Sequence, residues 1–196
     1  MLQDTVISEI QNSIDVKKLL VKDKILIKKI YDLAGICIQC LNSSGKVIFC
    51  GNGGSFADAQ HLSAEFTSRF LFDRPGLASI ALGTNSSAMS AIGNDYGFED
   101  VFSREIEAVA NKNDVLIAIT TSGNSSNVIR AAKIAKSNNM QVIVFTGCSN
   151  GQMGNDFNTI NVPSNITARI QECHILIGHI VCGMVEESIF GNLKLR

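Results

Sequence analysis

Residues 47–55 read Val47-Ile48-Phe49-Cys50-Gly51-Asn52-Gly53-Gly54-Ser55. Four apolar residues without polar alternation run into a turn with three glycines, and a segment of helical length follows. An apolar run of this kind predicts a strand covered on both faces, and such strands belong to parallel sheets. Moving outward, four more short apolar runs follow, Ala78–Leu82, Val115–Ile119, Val142–Thr146 and Thr159–Val162, of which the second and third also lack polar alternation. Each is bounded by Gly, Asn, Ser or Asp. Helical-length segments lie between them at 55–71, 86–110, 124–138 and 166–190. Strands alternating with helices predict βαβ units, hence an α/β fold with a five-stranded parallel sheet flanked by helices.

Upstream of this pattern, residues 1–43 read as two helices. Ile7, Ile10, Ile14, Leu19, Leu20, Ile25, Ile27, Ile30, Leu33 and Ile36 recur at helical spacing. The division expected is a helical oligomerisation arm over 1–43 and a ligand-binding domain over 44–196. The bulk numbers agree. A chain of 196 residues with 45% hydrophobic content can fill one sizeable core, while 18% charged residues is low enough to suggest surface buried in an oligomer. The net charge of −1 and the lack of a basic stripe argue against nucleic acid. No uninterrupted apolar run reaches the ~20 residues of a membrane span, and the polar start MLQDTVISEIQ is unlike a signal peptide. Six cysteines without a secretion signal imply reduced thiols and a cytoplasmic protein. Cys37 and Cys40 form a CxxC inside the apolar segment AGICIQCL, which reads as buried small hydrophobes.

Two strand-to-helix loops carry ligand chemistry. In the first, Asn52-Gly53-Gly54-Ser55, the glycines let a ligand approach the backbone and a helix N-terminus offers free N–H donors. Ser55 and Asp58 are spaced as a capping box. The loop is not GxGxxG and no P-loop lysine follows, which argues against a nucleotide. The second loop, Thr120-Thr121-Ser122-Gly123-Asn124-Ser125, places four hydroxyls at another helix N-terminus, a pattern suited to a phosphate monoester without Lys or Arg. Both loops fall at the carboxyl ends of strands, where open α/β sheets bind ligands.

All three histidines lie on two of the helices. His61 and Glu65 are four apart and share a face, a pair that suits a divalent metal or acid–base work, although an isolated pair of this kind is more often a solvated ion pair. The last helix carries Gln171, His174 and His179. Spacing alone pairs Gln171 with His174, because Gln171 and His179 are separated by about 12 Å of helix rise.

The segments CGNGGS at 50–55, HLSAEFTSRF at 61–70, RPG at 74–76, GNDYGFEDVFSR at 93–104, TTSGNSSNVI at 120–129 and RIQECHILIGH at 169–179 together resemble the phosphoheptose isomerases, a branch of the sugar-isomerase (SIS) family. The resemblance covers nearly the whole chain. It implies a SIS-type sheet, a homotetramer with one zinc per subunit near subunit interfaces, and conversion of sedoheptulose 7-phosphate to D-glycero-D-manno-heptose 7-phosphate through an enediol. Position by position it implies zinc ligands His61, Glu65, Gln171 and His179, with Glu65 and His179 as the acid–base pair. It implies substrate contacts at Asn52, Gly53, Gly54, Ser55, Glu65, Asn94, Asp95, Thr120, Thr121, Ser122, Ser125 and Gln171, and leaves His174 structural. The sequence departs from some relatives at Phe56, Ala57 and Ala168. A different class is also represented among similar chains: non-catalytic SIS tetramers that bind the replication initiator. Their positions matching Glu65 and His179 lack acid–base residues. Isomerases of arabinose 5-phosphate or a hexulose 6-phosphate fit less well, given the His61–Glu65 pair and the QECHILIGH run.

Overall fold

The computed structural model describes residues 2–195. Five strands form one sheet: β1 (Val47–Gly51), β2 (Ser79–Ala81), β3 (Val115–Ile119), β4 (Gln141–Thr146) and β5 (Asn158–Asn161). Their order is β2-β1-β3-β4-β5 and every pairing is parallel. Each of the five runs read from the sequence forms a strand, to within a residue or two at the ends. The side chains of β1 alternate as the pleat requires. Val47 and Phe49 point into one core and Ile48 and Cys50 into the other, and because both faces are covered the sequence shows no polar alternation.

One core lies beneath α2 (Lys24–Asn42), α3 (Gly54–Thr67) and α8 (Thr167–Phe190); the other lies beneath α5 (Val101–Val109) and α6 (Ser126–Ser137). Two short helices, α4 (Ser86–Asp95) and α7 (Met153–Asp156), complete the set with α1 (Leu2–Lys22). The segment 86–110, expected as a single helix, is two. The chain turns at Gly97, whose φ of +98° no ordinary side chain adopts readily, and passes through a 3-10 turn at Phe98–Asp100 before α5. The Ser55–Asp58 capping box does not form: α3 already starts at Gly54, its N-cap Gly53 makes no side-chain bond, and Ser55 is buried within the first turn.

The two N-terminal helices differ. They part at Asp23, whose carboxylate accepts from the amides of Ile25 and Leu26 and so starts α2. Helix α2 buries Leu26, Ile30, Leu33, Ala34, Cys37 and Cys40 in the sheet core. Helix α1 instead meets α8 through polar groups. Ser13 Oγ donates to Glu172 (2.6 Å), and Arg169 reaches the carbonyl and carboxylate of Glu9 (2.8 and 3.0 Å). Val6, Ile7, Ile10, Leu19, Ile25 and Tyr31 stay exposed across both helices. All six cysteines are unpaired. Burial pushes the thiols of Cys50 and Cys182 up to about 12, as expected of inert core residues. Among the described residues α8, with its extension to Leu193, is the one helix long and apolar enough to cross a membrane. It packs in the core along α2 and α3, with Ile170, Cys173, Ile177, Val181 and Val185 buried.

Beneath the sheet, the buried carboxylate of Asp114 ties the start of β3 to β1. It accepts from the Lys46 amide (2.9 Å) and ammonium (2.6 Å) and from the Asn111 amide (2.7 Å). Asp114→Ala leaves these donors without their acceptor and is expected to cost about 2–3 kcal/mol, measured by denaturant unfolding.

Candidate active site

The strand order reverses between β1 and β3, and the crevice above that switch point is where α/β sheets of this kind take ligands. Both loops singled out in the sequence meet there. A pocket of 320 Å³ is lined by Asn52, Gly53, Gly54, Ser55, Thr120, Thr121, Ser125 and Gln171, together with Ile119 and Thr167. The loops are pre-set. The side-chain amides of Asn52 and Asn127 bond reciprocally at 2.8 and 2.9 Å, joining the β1 loop to the start of α6. Thr120 Oγ1 lies 3.2 Å from Ser125 Oγ and accepts from the Gly123 amide at 3.3 Å. Ser122, named with them in the sequence, is exposed and is not among the lining residues; its Oγ accepts from the Asn124 amide. A cluster of hydroxyls and amides with no cation among the pocket-lining side chains fits a phosphate bound by neutral donors. At Gly54 a Cβ would lie 2.5 Å from Gln171 Nε2, so glycine there is what admits the Gln171 amide to the pocket wall.

A second constellation lies along the same helix pair. His61 Nε2 is 2.9 Å from His179 Nε2 and 3.2 Å from Glu65 Oε1, and one ligating atom from each of the three lies within 4.8 Å of the others. Two imidazole nitrogens and a carboxylate oxygen are zinc donors. Zinc bonds of 2.0–2.2 Å place tetrahedral ligands about 3.3 Å apart, so the spacing and the donor set both fit the metal. Phe70 stacks on the His179 ring at 5.5 Å and 28°. Burial, reinforced by the neighbouring His61, holds His179 below its ordinary pKa, while Glu65 pulls the other way.

His174, the residue that spacing would pair with Gln171, points elsewhere. It is fully buried, with its ring against Phe145 and Nε2 3.2 Å from the Thr146 carbonyl. Five residues turn the helix by about 140°, which sends His174 to the sheet and His179 to α3. Gln171 lies two turns before His179, beside Gly54 rather than His61. Asn94 and Asp95 are not brought to the pocket of their own chain; they sit exposed at the end of α4, with Asn94 Nδ2 donating to Asp95 Oδ1 (2.7 Å). Two polar residues near the site escaped the sequence reading. Asn127 looked like a plain helix residue. Asp58 was read as a cap; it is half-buried one turn before His61, with Oδ2 out of contact with solvent or any hydrogen-bond donor, and burial lifts its carboxyl to about 6.

Residues 15–147 match the SIS domain family. Over 193 residues the chain is 48% identical to the phosphoheptose isomerase of Aneurinibacillus thermoaerophilus, with 97% of each chain covered. The chain belongs to the phosphoheptose isomerase branch of the SIS family. Solved phosphoheptose isomerases share its fold. That of Neisseria gonorrhoeae superposes with a TM-score of 0.89 at 43% identity, covering 95% of this chain and all of the other. That of Francisella tularensis gives 0.91 at 36%, covering 95% and 99%.

Buried against the sheet, His174 carries a measurable signature. Burial depresses its pKa from 6.5 to about 4. The unfolded chain therefore takes up a proton below pH 6.5 that the folded chain refuses until about pH 4. Stability falls as pH drops through that window, by about 1.4 kcal/mol per unit for the full proton difference. In His174→Gln the wild-type fall is expected to shrink by up to about 3 kcal/mol between pH 7 and pH 4, read from denaturant unfolding at each pH.

Proposed function

We propose that the chain isomerises sedoheptulose 7-phosphate to D-glycero-D-manno-heptose 7-phosphate in the cytoplasm, as an entry to heptose for surface polysaccharide, working as a homotetramer with one zinc per subunit. The observation that carries this reading is the convergence of His61, Glu65 and His179 on the two helices that also wall the pocket at the switch point. The identity to phosphoheptose isomerases over nearly the whole chain supports the choice of sugar. The presence of both Glu65 and His179 favours an enzyme over a non-catalytic SIS tetramer that binds the replication initiator.

In this reading the 120–125 hydroxyls and amides hold the 7-phosphate, and Asn52, Gly53, Gly54, Ser55 and Gln171 hold the sugar chain. The Glu65 carboxylate removes the C1 proton of the ketose. As the C1–C2 double bond of the enediol forms, the C2 oxygen gains a proton. The proton then returns at C2 while the C1 oxygen gives up its own, leaving the aldehyde. His179, kept neutral by burial, moves the proton between the two oxygens. His61, Glu65, His179 and Gln171 would hold the zinc, which would supply Lewis-acid polarisation of the carbonyl oxygen. For Gln171 to act as the fourth ligand, its side chain and that of His179 would have to lean towards each other along α8, Gln171 leaving its place beside Gly54. Glu65 Oε1 faces His61, which leaves the second oxygen of the carboxylate for the proton.

The tetramer reading rests on exposed apolar side chains along α1 and α2, among them Val6, Ile10, Leu19 and Tyr31. Asn94 and Asp95 then reach substrate in a neighbouring copy. Light scattering is expected to give four times the chain mass; a monomer would refute the assembly.

Glu65→Gln keeps the shape of the side chain but cannot accept a proton. Turnover of sedoheptulose 7-phosphate, followed by detection of the aldose, is expected to fall by about 10²–10⁴-fold with the melting temperature near wild type. Chelator treatment of the wild type is expected to abolish turnover and zinc to restore it. Normal turnover in folded Glu65→Gln would move the base elsewhere.

A further inference from the structure

Arg74 and Glu186 form a buried ion pair for which the reaction has no use. Their side chains are 1% and 0% exposed, and Nε lies 2.9 Å from Oε1. Isolated buried pairs add little stability over apolar residues of the same volume, so what this one holds is informative. Arg74 Nη1 lies 2.6 Å from the Phe66 carbonyl and 3.0 Å from those of Ser68 and Pro75, and Nη2 donates to the Glu65 carbonyl at 2.7 Å. One guanidinium thus closes the C-terminal end of α3, where backbone carbonyls lack partners of their own. From α8, the Glu186 carboxylate accepts from the Phe70 amide (2.8 Å) and the Leu71 amide (2.7 Å). The pair therefore locks together the end of α3, the turn that follows it, and α8.

That lock sits next to the metal cluster. Glu186 follows His179 by seven residues, two turns along the same stripe of α8. Glu65, whose carbonyl Arg74 holds, is itself in the cluster. Phe70, whose amide Glu186 holds, stacks on His179. We propose that the Arg74–Glu186 pair is a positioning device for the cluster: it sets α3 against α8 and seats the Phe70 ring on His179, so that the ligands wait at metal-binding distance. This rests on the zinc reading of His61, Glu65 and His179.

Zinc affinity, measured by chelator competition at neutral pH on folded protein, tests it. Glu186→Gln keeps the volume but turns an N–H₂ towards an amide that had an acceptor. Phe70→Leu removes the ring and leaves the ion pair intact. Both are expected to bind zinc about 10- to 100-fold more weakly, the usual cost of losing an outer support. Ile106→Ala, in the core on the opposite face of the sheet, should lose stability while keeping wild-type affinity, which separates positioning from general loosening. If Glu186→Gln does not fold, Phe70→Leu decides. Wild-type affinity in the folded variants would overturn the inference with the zinc reading intact. Failure of the wild type itself to bind zinc would overturn both.

Discussion

Helices α3 and α8 have to approach closely enough for side chains from both to share one site, and the rest of the molecule is arranged around that contact. At Gly178 a Cβ would lie 2.5 Å from both methyls of Leu62, and at Gly54 it would meet the Gln171 amide. Glycine at these two points lets the backbones close in, so that His61 and His179 can touch across the interface. The sheet contributes by fixing where α3 begins. The β1 loop hands the chain to α3 directly above the switch point, and the first turn of α3 lines the pocket while its third carries His61 of the His61–Glu65–His179 cluster.

Electrostatics distinguish the two ends. At the β3 loop the donors are neutral, and Thr120 and Ser125 are already engaged with each other. The chemical end gathers imidazoles and carboxylates, with burial shifting His179 and Asp58 towards their neutral forms.

Much of the fold was legible because it obeys local rules. The three central strands announced themselves by apolar runs without polar alternation, which a sheet covered on both faces requires, while β2 and β5 at the edges carry polar residues and were marked by their turn-forming flanks. Gly97 was there to be read as a break in 86–110, yet apolar spacing on both sides concealed it. The cap assigned to Ser55 failed because the β1 loop turns tightly enough to put the N-cap two residues earlier, at Gly53. For the histidines, counting along α8 favoured His174, since i, i+3 spacing says nothing of which face meets which neighbour. Only the packing of α8 against α3 on one side and β4 on the other separates the two roles. Asn127, Arg74 and Glu186 were invisible for the same reason, because their partners are 75 and 112 residues away in sequence.

The sheet ends on two very short strands, β2 with three residues and β5 with four. An exposed strand edge is a template for pairing with another chain, and brevity is one way proteins blunt it. At the β5 edge, Lys29 reaches over from α2 and occupies the Thr159 carbonyl (2.9 Å), removing an acceptor that an incoming strand would need. Continuous sheet growth from copy to copy, the route to fibres, is thus closed at the margins of the fold.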